Sequence, residues 1–64
     1  MDEETLARCE QLVAALTAMS PTRRRSHYSM CLKRAKDARS RRDNDYARVL
    51  ELEAELCESI GMPR

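Results

Sequence analysis

The chain has 64 residues, of which 36% are charged, and its formal net charge at pH 7 is +1. A chain of this length makes one domain, residues 1–64, with little room for the converging side chains of an active-site cleft. Its single glycine also excludes a glycine-rich phosphate loop. We therefore expect a protein that is not an enzyme, binds no small-molecule substrate and needs no cofactor.

The sequence carries no sign of secretion or of a membrane span. Its acidic start, residues 1–4, lacks the basic and then apolar pattern of a signal peptide. No apolar run approaches the roughly 20 residues that cross a bilayer. The three cysteines, an odd number, are typical of free thiols in a reducing compartment. These features predict a cytoplasmic protein with no membrane partner.

The first segment predicts an amphipathic helix over residues 2–19. Asp2 is a suitable N-cap, and Glu3 and Glu4 suit the positive end of the helix dipole. At about 100° per residue, the larger apolar side chains share an arc of about 140°. They are Leu6, Cys9, Leu12, Val13, Leu16 and Met19.

Ser20 and Pro21 mark the start of a second helix, predicted over residues 21–41. Serine is a favoured N-cap and proline a favoured first helical residue. The apolar arc of this helix is about 120° wide by the same geometry. It contains Tyr28, Cys31, Leu32, Ala35 and Ala38.

A third helix is predicted over residues 44–60. Asp43 or Asn44 can cap its start, and Gly61 can cap its end, with Pro63 beyond. The apolar face is expected to hold Tyr46, Val49, Leu50, Leu56, Cys57 and Ile60.

One acidic residue, Glu53, interrupts the apolar face of the third helix. Arg24, Arg39 and Arg42 similarly lie within or beside the apolar arc of the second helix. Because charged side chains are seldom buried without a partner, we expect these arginines to pair internally, with Glu53 as one of their partners.

The predicted fold class is therefore all-α, a small three-helix bundle. An alternative stays open, because residues 22–60 contain neither glycine nor proline. If the segment 40–45 does not break the helix, the chain becomes a helical hairpin with one long C-terminal helix. The residues on its apolar side alternate in three- and four-residue spacing, with one additional four-residue step between positions 42 and 46. This pattern also suits a dimeric coiled coil.

The three cysteines and the single histidine have two possible roles. Free cysteine packs like a small apolar residue, and all three positions fall on apolar faces, so we expect buried, metal-free thiols. In the alternative, three thiolates and one imidazole form a tetrahedral zinc set. That set would be Cys9, His27, Cys31 and Cys57.

Charge is strongly segregated along the chain. Residues 1–20 contain four acids and one base (net −3), residues 21–42 nine bases and one acid (net +8), and residues 43–64 six acids and two bases (net −4). The cations that fill the solvent side of the second helix are the predicted binding residues for a partner or for nucleic acid. They are Arg23, Arg25, Lys33, Arg34, Lys36 and Arg41.

The composition leaves little for a hydrophobic core, because the chain has no Phe and no Trp. A chain with so few large apolar side chains often gains stability by association. We therefore predict a helical binding module that acts as a regulator or adaptor through protein–protein contact and self-associates as a homodimer. The alternative is a nucleic-acid-binding module that uses the cations of the second helix.

Overall fold

The chain folds into three helices joined by two short connections. The structure, a computed structural model, describes residues 2–62, so Met1, Pro63 and Arg64 lie outside the described residues, including the predicted stop at Pro63. No strand is present within residues 2–62, which confirms the prediction of an all-α three-helix bundle. The helices are α1 (Glu3–Ala18), α2 (Pro21–Ser40) and α3 (Asn44–Ile60).

Side-chain caps start each helix where the sequence indicated them. Asp2, Ser20 and Asp43 each accept a hydrogen bond from the backbone N–H three residues further on, at 2.7, 3.2 and 3.3 Å. These bonds satisfy N–H groups that have no partner inside the helix. At the end of α3, Gly61 has a φ of 114° and its N–H donates to the carbonyl of Cys57 at 3.0 Å.

The connection between α2 and α3 is a Schellman motif. Its Asp43 N–H donates to the carbonyl of Ala38 at 2.9 Å, and its Arg42 N–H donates to that of Arg39 at 3.0 Å. Arg42 adopts the left-handed conformation, with a φ of 62°, at the position where glycine is favoured. Residues 22–60 therefore do not form one continuous helix, and α3 folds back beside α2.

Small side chains make up the interface between α2 and α3, which pack against each other as a hairpin. Because alanine and cysteine are short, the two helix backbones can approach closely. The buried residues are Cys31, Ala35 and Ala38 of α2, and Ala47, Leu50, Ala54 and Cys57 of α3.

Helix α1 joins the hairpin only near its C-terminal end. Leu16 is 1% exposed, whereas Leu6 is 50% and Val13 is 39% exposed. Cys9 is also exposed, so the expectation that all three cysteines are buried is wrong. The cause is that α1 extends away from the hairpin, which gives a flat molecule of 33 × 32 × 13 Å.

Arg24 holds the ends of two helices together. Its side chain is buried, and its guanidinium donates hydrogen bonds only to backbone carbonyls among residues 2–62. Carbonyls at helix C-termini carry partial negative charge, so the cation stabilises both ends. The acceptors are the carbonyls of Leu16 at 2.9 Å, Thr17 at 3.2 Å and Met19 at 2.8 Å at the end of α1, and that of Gly61 after α3.

None of the three helices, as far as residues 2–62 describe them, combines the length and the apolar character that a membrane crossing requires. Helix α3, for example, contains Glu51, Glu53 and Glu55 between its apolar side chains. A bilayer core would leave such carboxylates without solvation.

Candidate functional site

The six predicted binding cations of α2 are all exposed to solvent. Successive residues of a helix are rotated by about 100° around its axis, and on this basis the six cations do not lie on one face. Three fall within about 20° of one another on one side, and three fall within about 80° on the other side. The first basic row is Arg23, Arg34 and Arg41, and the second basic row is Arg25, Lys33 and Lys36.

Most of these cations have no acidic partner in the part of the chain that the structure describes, residues 2–62. Among residues 2–62, Arg41 is the only one of the six at ion-pairing distance from a carboxylate, that of Asp37 at 3.4 Å. That pair is solvent-exposed, so it contributes little to stability. Arg25 instead lies over the ring of Tyr28, with 5.5 Å between the guanidinium carbon and the ring centroid. The charges of both rows are therefore available to a partner.

A shallow groove lies beside the turn between α2 and α3. Arg34 and Arg41 of the first basic row line it together with the exposed ring of Tyr46. Two cations beside an aromatic ring suit a nucleotide, whose phosphate and base they could contact. Asp37 and Asp43 line the same groove, however, and their negative charges weaken its attraction for phosphate.

Several large apolar side chains remain on the surface. Tyr46 and Val49 were predicted to lie on the buried face of α3, but both are exposed, because Ala47 and Ala54 occupy the interface with α2 instead. The exposed large apolar side chains of the three helices are together named here the open apolar surface. They are Leu6, Val13, Met30, Leu32, Tyr46, Val49 and Leu52.

Glu53 pairs with the histidine and not with an arginine. The distance between His27 Nε2 and Glu53 Oε1 is 2.7 Å, and both side chains are partly buried. Arg39 instead donates to Glu51, and this hydrogen bond lowers the pKa of Glu51. The expectation that an arginine neutralises Glu53 is therefore wrong.

Cys31 lies next to this pair. A ring nitrogen of His27, the sulfur of Cys31 and a carboxylate oxygen of Glu53 all lie within 4.8 Å of one another. Burial, followed by the charges of Glu53 and Cys57, raises the pKa of the Cys31 thiol from 9.0 to about 11. Burial also raises the pKa of Cys57, which feels the charge of Glu53 as well.

His27, Cys31 and Glu53 are named here the His–Cys–Glu cluster, and the buried thiol of Cys57 lies on the same side of α3 as Glu53. The zinc set considered from the sequence is not assembled in its original form, because Cys9 is exposed on α1 and Glu53 lies in the group instead. The sequence did contain a signal for Glu53. It stands four residues before Cys57, as His27 stands four residues before Cys31.

Comparison with known proteins gives no further indication of function. No protein-family model, curated protein or solved structure matches the chain. We therefore infer function from the two basic rows, the open apolar surface and the His–Cys–Glu cluster.

Proposed function

We propose that this protein is a small, non-enzymatic helical binding module that acts as a regulator or adaptor through protein–protein contact, first of all with a second copy of itself. One observation carries this proposal. Of the Leu, Ile, Val and Met side chains in residues 2–62, only Leu16 and Leu50 are buried. Large apolar side chains left on the surface of a small domain are typical of an interaction site.

Charge complementarity favours a second copy as the occupant of the open apolar surface. Residues 1–20 carry a net charge of −3, from four acids and one base, and residues 21–42 carry +8, from nine bases and one acid. In a two-fold dimer, Leu6 and Val13 on the acidic α1 of each copy can contact Met30 and Leu32 on the basic α2 of the other, so that opposite charges flank the apolar contact. The three free thiols further support placing this module in the reducing cytoplasm.

Self-association is tested by placing charge on the open apolar surface. We expect Val13→Lys with Leu32→Lys to weaken the dimer by about 2 kcal/mol or more, roughly 30-fold in dissociation constant, because a lysine would be desolvated on each side of the contact. The matched control, Ala14→Lys with Ser29→Lys, adds the same charge to exposed positions of the same helices. Sedimentation equilibrium measures all three proteins. A wild-type chain that stays monomeric at high concentration would contradict the proposal.

Nucleic acid is the second candidate partner, and the exposure of the two basic rows is the observation that favours it. The first basic row extends from Arg23 in α2 to Arg41 at its C-cap, and these positions are 18 residues apart, about 27 Å along the helix axis. Such a row can follow the phosphates of a duplex. If its three cations contact phosphates, the logarithm of the binding constant should fall with the logarithm of salt at a slope of about −3.

Charge reversal on α2 separates the two kinds of partner. If nucleic acid binds, Arg34→Glu with Lys36→Glu should abolish binding to all sequences alike, since phosphate contacts read no bases. If an acidic protein binds, the same variant should associate more slowly with it, and the wild type should show no DNA affinity in a salt titration. Arg8→Glu with Arg48→Glu is the control, because it changes the net charge equally at exposed positions of α1 and α3. Unfolding of the α2 variant would contradict both readings.

A further inference from the structure

We propose that the His–Cys–Glu cluster is a binding site for a divalent transition-metal ion, and that zinc is the ion it fits best. The site would join α2 to α3 inside the hairpin. It is independent of the proposed self-association, because none of its residues belongs to the open apolar surface.

The arrangement of the ligands follows from helix geometry. His27 and Cys31 are four residues apart on α2, and Glu53 and Cys57 are four residues apart on α3. Residues with this spacing project from the same side of a helix, one turn apart. Because α2 and α3 are adjacent and antiparallel, the two pairs face each other and supply one nitrogen, two sulfurs and one carboxylate.

The distances are close to those of a coordinated ion. Zinc bonds of about 2.0–2.3 Å in a tetrahedron place neighbouring ligand atoms roughly 3.3–3.8 Å apart. Ligand atoms of His27, Cys31 and Glu53 already lie within 4.8 Å of one another. Side-chain shifts of about 1 Å would bring these three ligands around an ion, and they would also separate His27 Nε2 from Glu53 Oε1, which are hydrogen-bonded at 2.7 Å. The fourth ligand that we infer is the sulfur of Cys57, which lies on the same side of α3 as Glu53.

The chemistry of the donors selects the metal. Nitrogen, sulfur and a carboxylate in a tetrahedral set are typical of zinc, whereas magnesium and calcium require oxygen ligands. Side chains contributed by two helices and buried to this degree are typical of a closed, structural site. Cys31 and Cys57 are 3% and 0% exposed, and the side chains of His27 and Glu53 are 29% and 19% exposed.

Charge balance is consistent with an ion at this position. Burial opposes ionisation of the two thiols, and a bound dication removes that obstacle, so each thiol would lose one proton to solvent on binding. Two thiolates, one carboxylate and a neutral imidazole around Zn²⁺ sum to −1. Burial is the main effect on both thiols and raises their pKa values, while the positive charges of Arg24 near Cys57 and Arg34 near Cys31 act against it and can offset the charge of the site.

Cobalt titration of the full chain tests the site directly. Metal is removed with a chelator under reducing conditions, and Co²⁺ is added while absorption is recorded. We expect one Co²⁺ per chain, a thiolate-to-cobalt charge-transfer band and the intense visible bands of tetrahedral coordination, all displaced by one equivalent of Zn²⁺. The melting temperature should rise with zinc concentration, because the ion binds only the folded hairpin. Absence of the charge-transfer band in the folded wild type would overturn the proposal.

Two variants and a control assign the ligands. Cys31→Ser and Glu53→Gln should each weaken cobalt binding by more than about 100-fold, beyond the effect of losing an outer-shell contact. Cys9→Ser should leave it unchanged, because Cys9 is exposed on α1. Circular dichroism checks that each variant is helical, and if Cys31→Ser unfolds, the partly exposed Glu53→Gln decides. Loss of binding in Cys9→Ser, or its retention in Glu53→Gln, would mean that the ion binds elsewhere.

Discussion

Replacing Arg24 with methionine is expected to lower the free energy of unfolding by about 3 kcal/mol. The change removes a donor from four backbone carbonyls, of which, within residues 2–62, only that of Leu16 keeps another, the Met19 N–H, and it removes the positive charge that faces two helix C-termini. Hydrogen bonds from a charged group contribute about 1.5–3 kcal/mol each, and the saved desolvation of the arginine offsets part of their loss. A domain of this size has only about 3–10 kcal/mol of stability in total, so this loss is a large share of it.

Two further variants separate charge from hydrogen bonding at this position. Arg24→Lys keeps the charge but cannot reach all the acceptors, so we expect about half the loss. Arg25→Met alters the next residue, which is exposed, and should change stability by less than about 0.5 kcal/mol. Urea unfolding followed by circular dichroism measures each free energy. Equal stability of Arg24→Met and wild type would show that the contacts of Arg24 do not hold α1 and α3 together.

Replacing Ala54 with leucine is expected to cost about 3 kcal/mol for a different reason. Ala54 is 2% exposed and belongs to the same packed cluster as Cys31, Ala35 and Leu50. Three extra carbon atoms at this point would force α2 and α3 apart, and overpacking of a close interface costs about 1–3 kcal/mol. The hairpin has few other buried contacts, so we expect the upper end of that range.

The matched control for this substitution is Ala14→Leu, the same change at an exposed position of α1. It should leave the free energy of unfolding within about 0.5 kcal/mol of wild type. Both variants are measured by urea unfolding. If Ala54→Leu were as stable as Ala14→Leu, the helices would be packed less closely than the structure shows.

The helix ends could be predicted from the sequence because capping is local chemistry. Asp2, Ser20 and Asp43 each lie within three residues of the N–H group they bind, so a short window of sequence contains both partners. The end of α2 was harder to predict, since an arginine occupies the left-handed position where glycine would have given a clear signal. Only the packing of α3 on α2 decides that the chain turns there.

The binding residues could be predicted less well, because their partners are distant in sequence. The carbonyls that Arg24 binds exist at every residue, so no residue type marks them. The pairing of His27 with Glu53 joins positions 26 residues apart and depends on how the hairpin is aligned. The periodicity of α1 predicted an apolar stripe, but not that Cys9 would lie beyond the end of the hairpin's contact.

The turn at Arg42 has a consequence for how the hairpin is kept closed. A non-glycine residue in the left-handed conformation costs roughly 1 kcal/mol, and the residues around it are compatible with an uninterrupted helix. The turn itself therefore contributes little to closure, which depends on the alanines and cysteines that α2 and α3 bury against each other. A short, strained hinge between two such arms is the condition for domain swapping, in which α3 of one copy packs on α2 of another and the same buried contacts form between chains.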